Sequence, residues 1–546
     1  MFQKLTIMLL FLSITLFGQT VITVTDADIQ PGQTVNWTAN NTYLLDGFVF
    51  VDDGAVLNIQ AGTVIKGKPG QGTDASALIV ARGGKIYAEG DKDAPIIFTA
   101  ESDDVSDPND LDLNTRGLWG GVILLGKARI NTTLGEGQIE GIPTTEPRGA
   151  YGGNDDNDNS GVVRYVSIRY GGTDIGANNE INGLTFGAVG RGTVVEYVEV
   201  FNNKDDGYEW FGGTVRTRYL VSAFNGDDCF DYDEGFRGYG QFWFAIMGED
   251  IGNRAGEHDG GTDPEGGIPF AIPMIYNATY IGSGANSFNA ENDLVMVLRD
   301  NAGGKYYNSI FTDFFDKAVD IEDVAGDTAD SRTRFERGDI AFNNNIWYGF
   351  GGGNNLDSMI VDDWARSYFA DPSNNNWIQD PQLAGISRTN DGNLDPRPAA
   401  SSPARTNVKA APADPWFYQV EYIGAFGDVD WTRGWTFLSE VGVTVGIEEQ
   451  PAAGGIIVPE SFTVSQNYPN PFNPSTRIDF SLPQNADVNI TVYNVRGQKV
   501  ATLVNGSRAA GSYTVNWNAE NLPSGVYMYR FTAGNVVESR KMMLLK

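Results

Sequence analysis

One cysteine, Cys229, and one histidine, His258, are all that 546 residues contain of either kind. A lone cysteine excludes an intramolecular disulfide, and a lone histidine excludes a zinc site built from several imidazoles. Cys229 is expected to be a small buried apolar residue, and any Ser-His-Asp triad would have to use His258. Basic residues are scarce as well: 38 Lys and Arg stand against 70 Asp and Glu, a formal net charge of -32. A surface so acidic repels phosphate backbones and anionic lipid, so no nucleic acid is expected as a partner, whereas divalent cations suit it. Apolar runs long enough to span a bilayer are missing, so no transmembrane segment is expected.

The charge is unevenly spread. Between Glu460 and Lys546 eight Lys or Arg face five Asp or Glu, a net of +3, which leaves -32 - 3 = -35 for the rest. A boundary near residue 455 follows. The stretch 446–459 mixes Pro, Gly and Glu without periodicity and reads as a linker. At the other end Lys4 precedes the apolar run Leu5 to Phe17, and Gly18-Gln19-Thr20 supplies small and polar residues. That order is a secretory signal peptide over 1–19, and the absence of cysteine at the cleavage zone excludes a lipoprotein anchor.

What the chain does have is Gly (67 residues), aromatics at 12%, and frequent Asn and Asp, a composition for many short strands and tight turns. Self-comparison gives a repeat of 22 residues. Ala55 to Ile65 aligns with Ala77 to Tyr87, Tyr197 with Tyr219, and Asp205-Asp206 with Asp227-Asp228. Further strand copies appear at Val163 to Ile168 and Lys305 to Ile310. Short alternating β stretches at this period make one turn of a solenoid, and the leucine framework of a leucine-rich repeat is absent. The fold class is therefore all-β: a right-handed parallel β-helix over 20–445, then a small β-sandwich over 460–546. The stretch Ser402 to Gly427 resembles the closing segment of bacterial β-helix proteins, with Trp431, Trp435 and Phe437 as candidate covers for the last turn.

Strand alternation in Asp205 to Trp210 and Asp227 to Tyr232 puts Tyr208, Trp210, Phe230 and Tyr232 on one face. Asp205, Glu209, Asp227, Asp231 and Asp233 share the other. Aromatic ladders are core packing. Stacked carboxylates destabilise a sheet and raise one another's pKa unless a cation, a shared proton or a basic neighbour compensates. Calcium is the expected cation. Asp156-Asn157-Asp158-Asn159-Ser160-Gly161 also carries oxygen ligands at alternate positions, the first half of a calcium loop, with Asp156, Asp158 and Ser160 as candidate ligands. Its twelfth position is Ser167 rather than Glu, which excludes an EF-hand. Acid-rich insertions at Asp103 to Asp112 and Glu249 to Glu265 are further places where binding could sit.

Gly226-Asp227-Asp228-Cys229 resembles the Gly-Asp-Asp-Cys stretch of pectin-cleaving β-helix hydrolases. The resemblance implies Asp205, Asp206, Asp227 and Asp228 as catalytic carboxylates, with His258 and Arg299 beside them. Two departures stand against it: His258 lies in Gly-Glu-His-Asp-Gly, and Arg299 is followed by Asp300. Residues 45 to 437 as a whole resemble uncharacterised β-helix passengers, a family that implies no activity.

The last 85 residues alternate at Val488, Ile490 and Val492, turn at Asn494 to Gly497, and contain about seven short strands, the pattern of an immunoglobulin-like sandwich. Tyr468 to Thr476, Gly511-Ser512-Tyr513, Leu522 to Tyr527 and the closing Lys541 to Lys546 resemble the type A sorting domains of type IX secretion. The resemblance implies passage through the outer membrane by that machinery, removal of the domain by its sortase, and release or attachment at the cell surface. The expectation is thus an exported, monomeric β-helix protein that binds polysaccharide or mediates adhesion. The competing class is a glycoside hydrolase acting on acidic polysaccharide.

Overall fold

The computed structural model describes residues 20–444 and 462–546, apart from 177–178, 262, 327, 468, 484–485, 509–510, 520–521 and 535. The signal peptide over 1–19 and the linker over 446–459 lie outside the described residues. The chain divides between Ile378 and Gln379 into two compact units.

The first unit is a parallel β-helix with three faces. Its third face is a nine-stranded sheet running from Phe48–Val51 through Ala77–Val80, Val122–Leu125, Leu184–Gly187, Tyr208–Phe211, Phe230–Asp233, Gly256–Asp259 and Met296–Arg299 to Val319–Ile321. The other two faces merge into one eighteen-stranded sheet. They merge because four strands run through the corner between them. In Gly161–Arg169, for example, Gly161 to Arg164 pair with Ile86 to Glu89, whereas Val166 to Ile168 pair with Ile96 to Phe98. The corner residue is left-handed: Tyr165, Tyr197, Tyr219 and Phe242 have φ of 48, 56, 57 and 59°. This conformation is costly for a non-glycine residue, and ring stacking offsets the cost. Centroids are 4.4 Å apart for Tyr165 and Tyr197, 4.2 Å for Tyr197 and Tyr219, and 4.7 Å for Tyr219 and Phe242.

Register follows the 22-residue repeat in places. Thr34 faces Val56, Val194 faces Arg216, and Tyr208 faces Phe230, each 22 residues on. One sequence alignment fails. Val56–Gln60 lies beside Lys85–Glu89, and Ala77–Val80 lies beside Phe48–Val51, both at an offset of 29. The loop between Gly67 and Ala77 lengthens that turn, so the match of Ala55 to Ile65 with Ala77 to Tyr87 joined two different faces.

Alternation gives the core. Tyr208, Trp210, Phe230 and Tyr232 are fully buried, and their rings continue the stack through Trp210 to Trp243 at 5.0 Å and Phe230 to Trp243 at 4.8 Å. Cys229 is buried and free, and burial pushes its thiol up to about 12, as expected for an inert apolar residue.

In the second unit, Leu383–Gly385 and Asp395–Pro398 form a short hairpin, and Trp435, Phe437 and Leu438 are buried. Residues from 462 onward form a three-stranded sheet (Thr463–Val464, Ser475–Leu482, Gly511–Asn518) and a four-stranded one (Lys499–Arg508, Ala486–Asn494, Gly525–Ala533, Val536–Leu544). These strands pair with one another antiparallel, and Phe472 adds an isolated parallel bridge to Leu544. One core, with Phe480, Trp517, Tyr529 and Phe531 in it, joins them into the small sandwich that the alternation at Val488, Ile490 and Val492 calls for.

Candidate functional site: an acidic face on the β-helix

The outer side of the nine-stranded sheet changes character along the solenoid. Phe50, Ile79 and Ile123 stack in register, followed by Thr185, then Glu209, Asp231 and Glu257. The apolar half is covered by the hairpin of Glu136–Gln138 and Ala150–Gly152, whose neighbourhood brings Ile139, Ile142 and Tyr151 into one cluster with Ile79 and Ile123. The acidic half has two flanks. A parallel ladder two residues on runs Phe211, Asp233, then Asp259 and Arg299. At the preceding turn, the Asp228 amide donates to Asp206 Oδ1 at 2.9 Å, and the Arg254 amide donates to Asp228 Oδ1 at 2.6 Å.

Two groups of three carboxylates arise there, each with oxygens within 4.8 Å of one another: Asp205, Asp206 and Asp227, and Asp206, Glu209 and Asp231. Asp206 belongs to both. Burial, aggravated by Asp227, pushes Asp205 up to about 7. Burial and the neighbouring acids likewise raise Asp206, Glu209, Asp227, Asp228 and Asp231. Basic compensation is peripheral. Arg299 pairs with Glu257 and, at 2.8 Å, with Asp259, and Arg254 lies 3.6 Å from Glu257. Among the described residues no Lys or Arg forms an ion pair with any member of the two groups.

Among the described residues, several enclosed oxygens in this region lack partners. Asp231 Oδ1 is enclosed without a hydrogen bond, and so is the amide oxygen of Asn182, a residue only 2% exposed. The Asn182 amide nitrogen donates to Glu209 Oε2, which fixes the side chain against the acidic ladder. Sequence reasoning missed Asn182 and Glu257, and also Glu140 and Glu180, whose charges help to raise Asp205. Alternation around His258 would have found Glu257, whereas Glu140 and Asn182 come from insertions with no periodicity.

His258 is not part of this face. It follows Tyr232 in the inward ladder, stacks on Tyr232 at 4.1 Å, and is fully buried. Its Nδ1–H donates to the Glu257 carbonyl at 2.7 Å, so Nε2 is the acceptor for the Tyr306 hydroxyl, also at 2.7 Å. Burial holds its pKa down at about 3. Gly256 is required beside it, since a Cβ there would come within 2.4 Å of the His258 ring. The catalytic role implied for His258 is corrected accordingly: it is a neutral core residue, placed inward by strand alternation.

The three candidate ligands of the loop at 156–160 sit in different settings. Asp156 is held by Arg129, by Arg237 at 2.5 Å and by Arg191 at 3.8 Å, and these cations keep its carboxyl well below the usual range against the opposing effect of burial. Asp158 is raised, by burial first. Ser160 is buried, its amide bonded to Thr193 Oγ1 at 2.8 Å. The arginines come from other coils, so the loop's own sequence gave no sign of them.

A solenoid with its strands stacked in parallel and a sandwich following it define a passenger and its delivery domain. Residues 29–359 match the pectate-lyase like beta helix domain, and residues 466–545 match the secretion system C-terminal sorting domain. The first match covers 359 - 29 + 1 = 331 of 546 residues, so the chain belongs to the pectate-lyase-like β-helix family. The sorting domain directs it through the type IX system to the cell surface or the extracellular space. No helix among the described residues is long and apolar enough to cross a membrane. No curated protein and no solved structure matches the chain.

The raised acids set a pH dependence. Asp205 and Asp233 rise from 3.8 to about 7, and Asp259 from 3.8 to about 6, with burial the leading cause for each. The folded form holds these protons more tightly than the unfolded chain, so each contribution is complete below pH 3.8 and is lost as pH climbs through the folded value. In EDTA, the melting temperature is expected to fall between about pH 4 and about pH 8. Calorimetry that showed a rise across that interval would mean the acids are compensated in the fold itself.

Proposed function

We propose that the passenger is a secreted glycan-binding or adhesive protein whose acidic face holds calcium. The observation that carries this reading is the pair of three-carboxylate groups sharing Asp206, without ion-paired cations, beside the enclosed oxygens of Asp231 and Asn182 that have no partner. Calcium takes six to eight hard oxygens in flexible geometry, and Asp205, Asp206, Glu209, Asp227, Asp231 and Asn182 offer that chemistry. Bound calcium would offset the repulsion within the ladder and leave coordination positions for sugar hydroxyls. After export, removal of the sorting domain by the sortase would leave a monomeric passenger outside the cell, released or attached.

The hydrolase reading retains one supporting observation. Asp205, pushed up to about 7, is about half protonated at neutral pH, which suits a general acid. Against it, no histidine reaches the face: His258 lies in the inward ladder and is fully buried. Screening the mature protein against polysaccharides for binding and for new reducing ends separates the two. Calcium-dependent binding without cleavage is expected. Asp227→Asn should weaken calcium binding with the fold retained; detectable cleavage that this substitution abolishes would replace the binding reading with the hydrolase.

A further inference from the structure

A second, oppositely charged site lies on another part of the β-helix. Arg129, Arg191, Arg216, Arg237 and Lys305 line an open cleft of about 390 Å³ around one carboxylate, Asp156. Five cations less one anion leave +4 in a chain whose net charge is -32.

The fold assembles this cluster from distant segments. Arg216, Tyr239, Met274 and Lys305 are successive rungs of one ladder. Arg237 sits just before Tyr239–Ile246 and Arg191 just before Val194–Phe201, while Arg129 follows Val122–Leu125. Asp156 fixes three of the guanidiniums, and the Arg237 Nη1 also donates to the Arg129 carbonyl at 3.0 Å. The Arg216 guanidinium lies 4.5 Å over the Tyr239 ring. The Lys305 ammonium forms no hydrogen bond or ion pair among the described residues. Burial, with Arg129 and Arg191 close by, depresses the Arg237 pKa. Such mutual repulsion is the mirror image of the acidic face, and an oxyanion would relieve it.

We infer that this cleft binds the sulfate or carboxylate group of an acidic glycan. Guanidinium pairs recognise planar or tetrahedral oxyanions through two parallel hydrogen bonds, which selects Arg over Lys for the fixed part of the site. Tyr239, Ile272 and Met274 add an apolar wall to the cleft, suited to the C–H face of a sugar ring. The ligand is extracellular because the chain is exported. The site needs no calcium. It shares with the reading above only the ligand class, and the two fail separately, because chelation abolishes binding at the acidic face and leaves the cleft intact.

Fluorescence polarisation of the full chain in EDTA and low salt tests the assignment, with labelled sulfated galactan and galacturonate oligosaccharides as probes and inorganic sulfate and phosphate as competitors. Saturable binding of at least one oligosaccharide is expected, weakened tenfold or more by Lys305→Glu and by Arg191→Ala, with melting temperature as the control for folding. Rising sodium chloride should weaken it as well. Absence of binding by the unaltered protein, or unchanged affinity in both variants, would overturn the site. Displacement by inorganic sulfate or phosphate at the concentration at which unlabelled oligosaccharide displaces would overturn the glycan assignment, since the sugar would then contribute nothing.

Discussion

Adding calcium to the protein in EDTA is expected to raise its melting temperature well beyond the rise given by sodium chloride of equal ionic strength. Sodium chloride only screens charge. A cation that binds the folded form alone stabilises it by about 2.7 kcal/mol at a hundredfold excess over its dissociation constant. The two carboxylate groups share Asp206, so Asp206→Asn should remove most of the calcium shift, more than Asp227→Asn does. Asp156→Ala should leave the shift unchanged, because Asp156 is already paired with three arginines. Equal shifts with calcium and sodium would mean general screening, and the cation site would have to be abandoned.

Deleting Glu538 to Lys546 should reduce the protein outside the cell to background and leave it in the periplasm. The strand Val536–Leu544 pairs with Gly525–Ala533 along its whole length, and Met542 and Leu544 are fully buried in the sandwich core. The chain end is also tied to the Pro-rich segment at 469–474: the Phe472 amide donates to the Met543 carbonyl, and the Leu545 amide donates to the Phe472 carbonyl, both at 2.9 Å. Truncation therefore removes both the signal and its scaffold. Leu544→Ala, which costs about 2–5 kcal/mol in a packed core, should lower export in proportion to the loss of folded sandwich. Immunoblots of medium and periplasm decide the matter, and normal amounts of truncated protein in the medium would refute the role of this end in sorting.

The parts of the fold that were legible in the sequence are those in which one turn follows the next without insertion. Tyr208 over Phe230 and Glu209 over Asp231 follow from the 22-residue offset and strand alternation alone. Where a loop intervenes, as between Gly67 and Ala77, the period lengthens and similarity between two faces misleads. The acidic ladder was visible because its carboxylates repeat with the period. The basic cleft was not, since its charges are drawn from residues 129 to 305 and no local pattern marks any of them. His258 invited a catalytic reading because it is the only histidine. Its true position follows from the pairing of Tyr232 with His258, an offset of 26 that an inserted loop had disguised.

The parallel ladders also decide how the passenger answers to pulling. In every face the strand-to-strand hydrogen bonds run along the solenoid axis, and each coil pairs only with the coils before and after it. Tension applied between the two ends of such a stack loads these bonds coil by coil rather than all at once. Each released turn of 22 residues frees about 75 Å of slack at roughly 3.4 Å per residue. Under load the β-helix is therefore expected to lengthen in steps. Its acidic rungs lie midway along the stack, so a cation bridging Asp205, Asp206 and Asp227 would act as a clasp between adjacent coils and divide the extension into two stages.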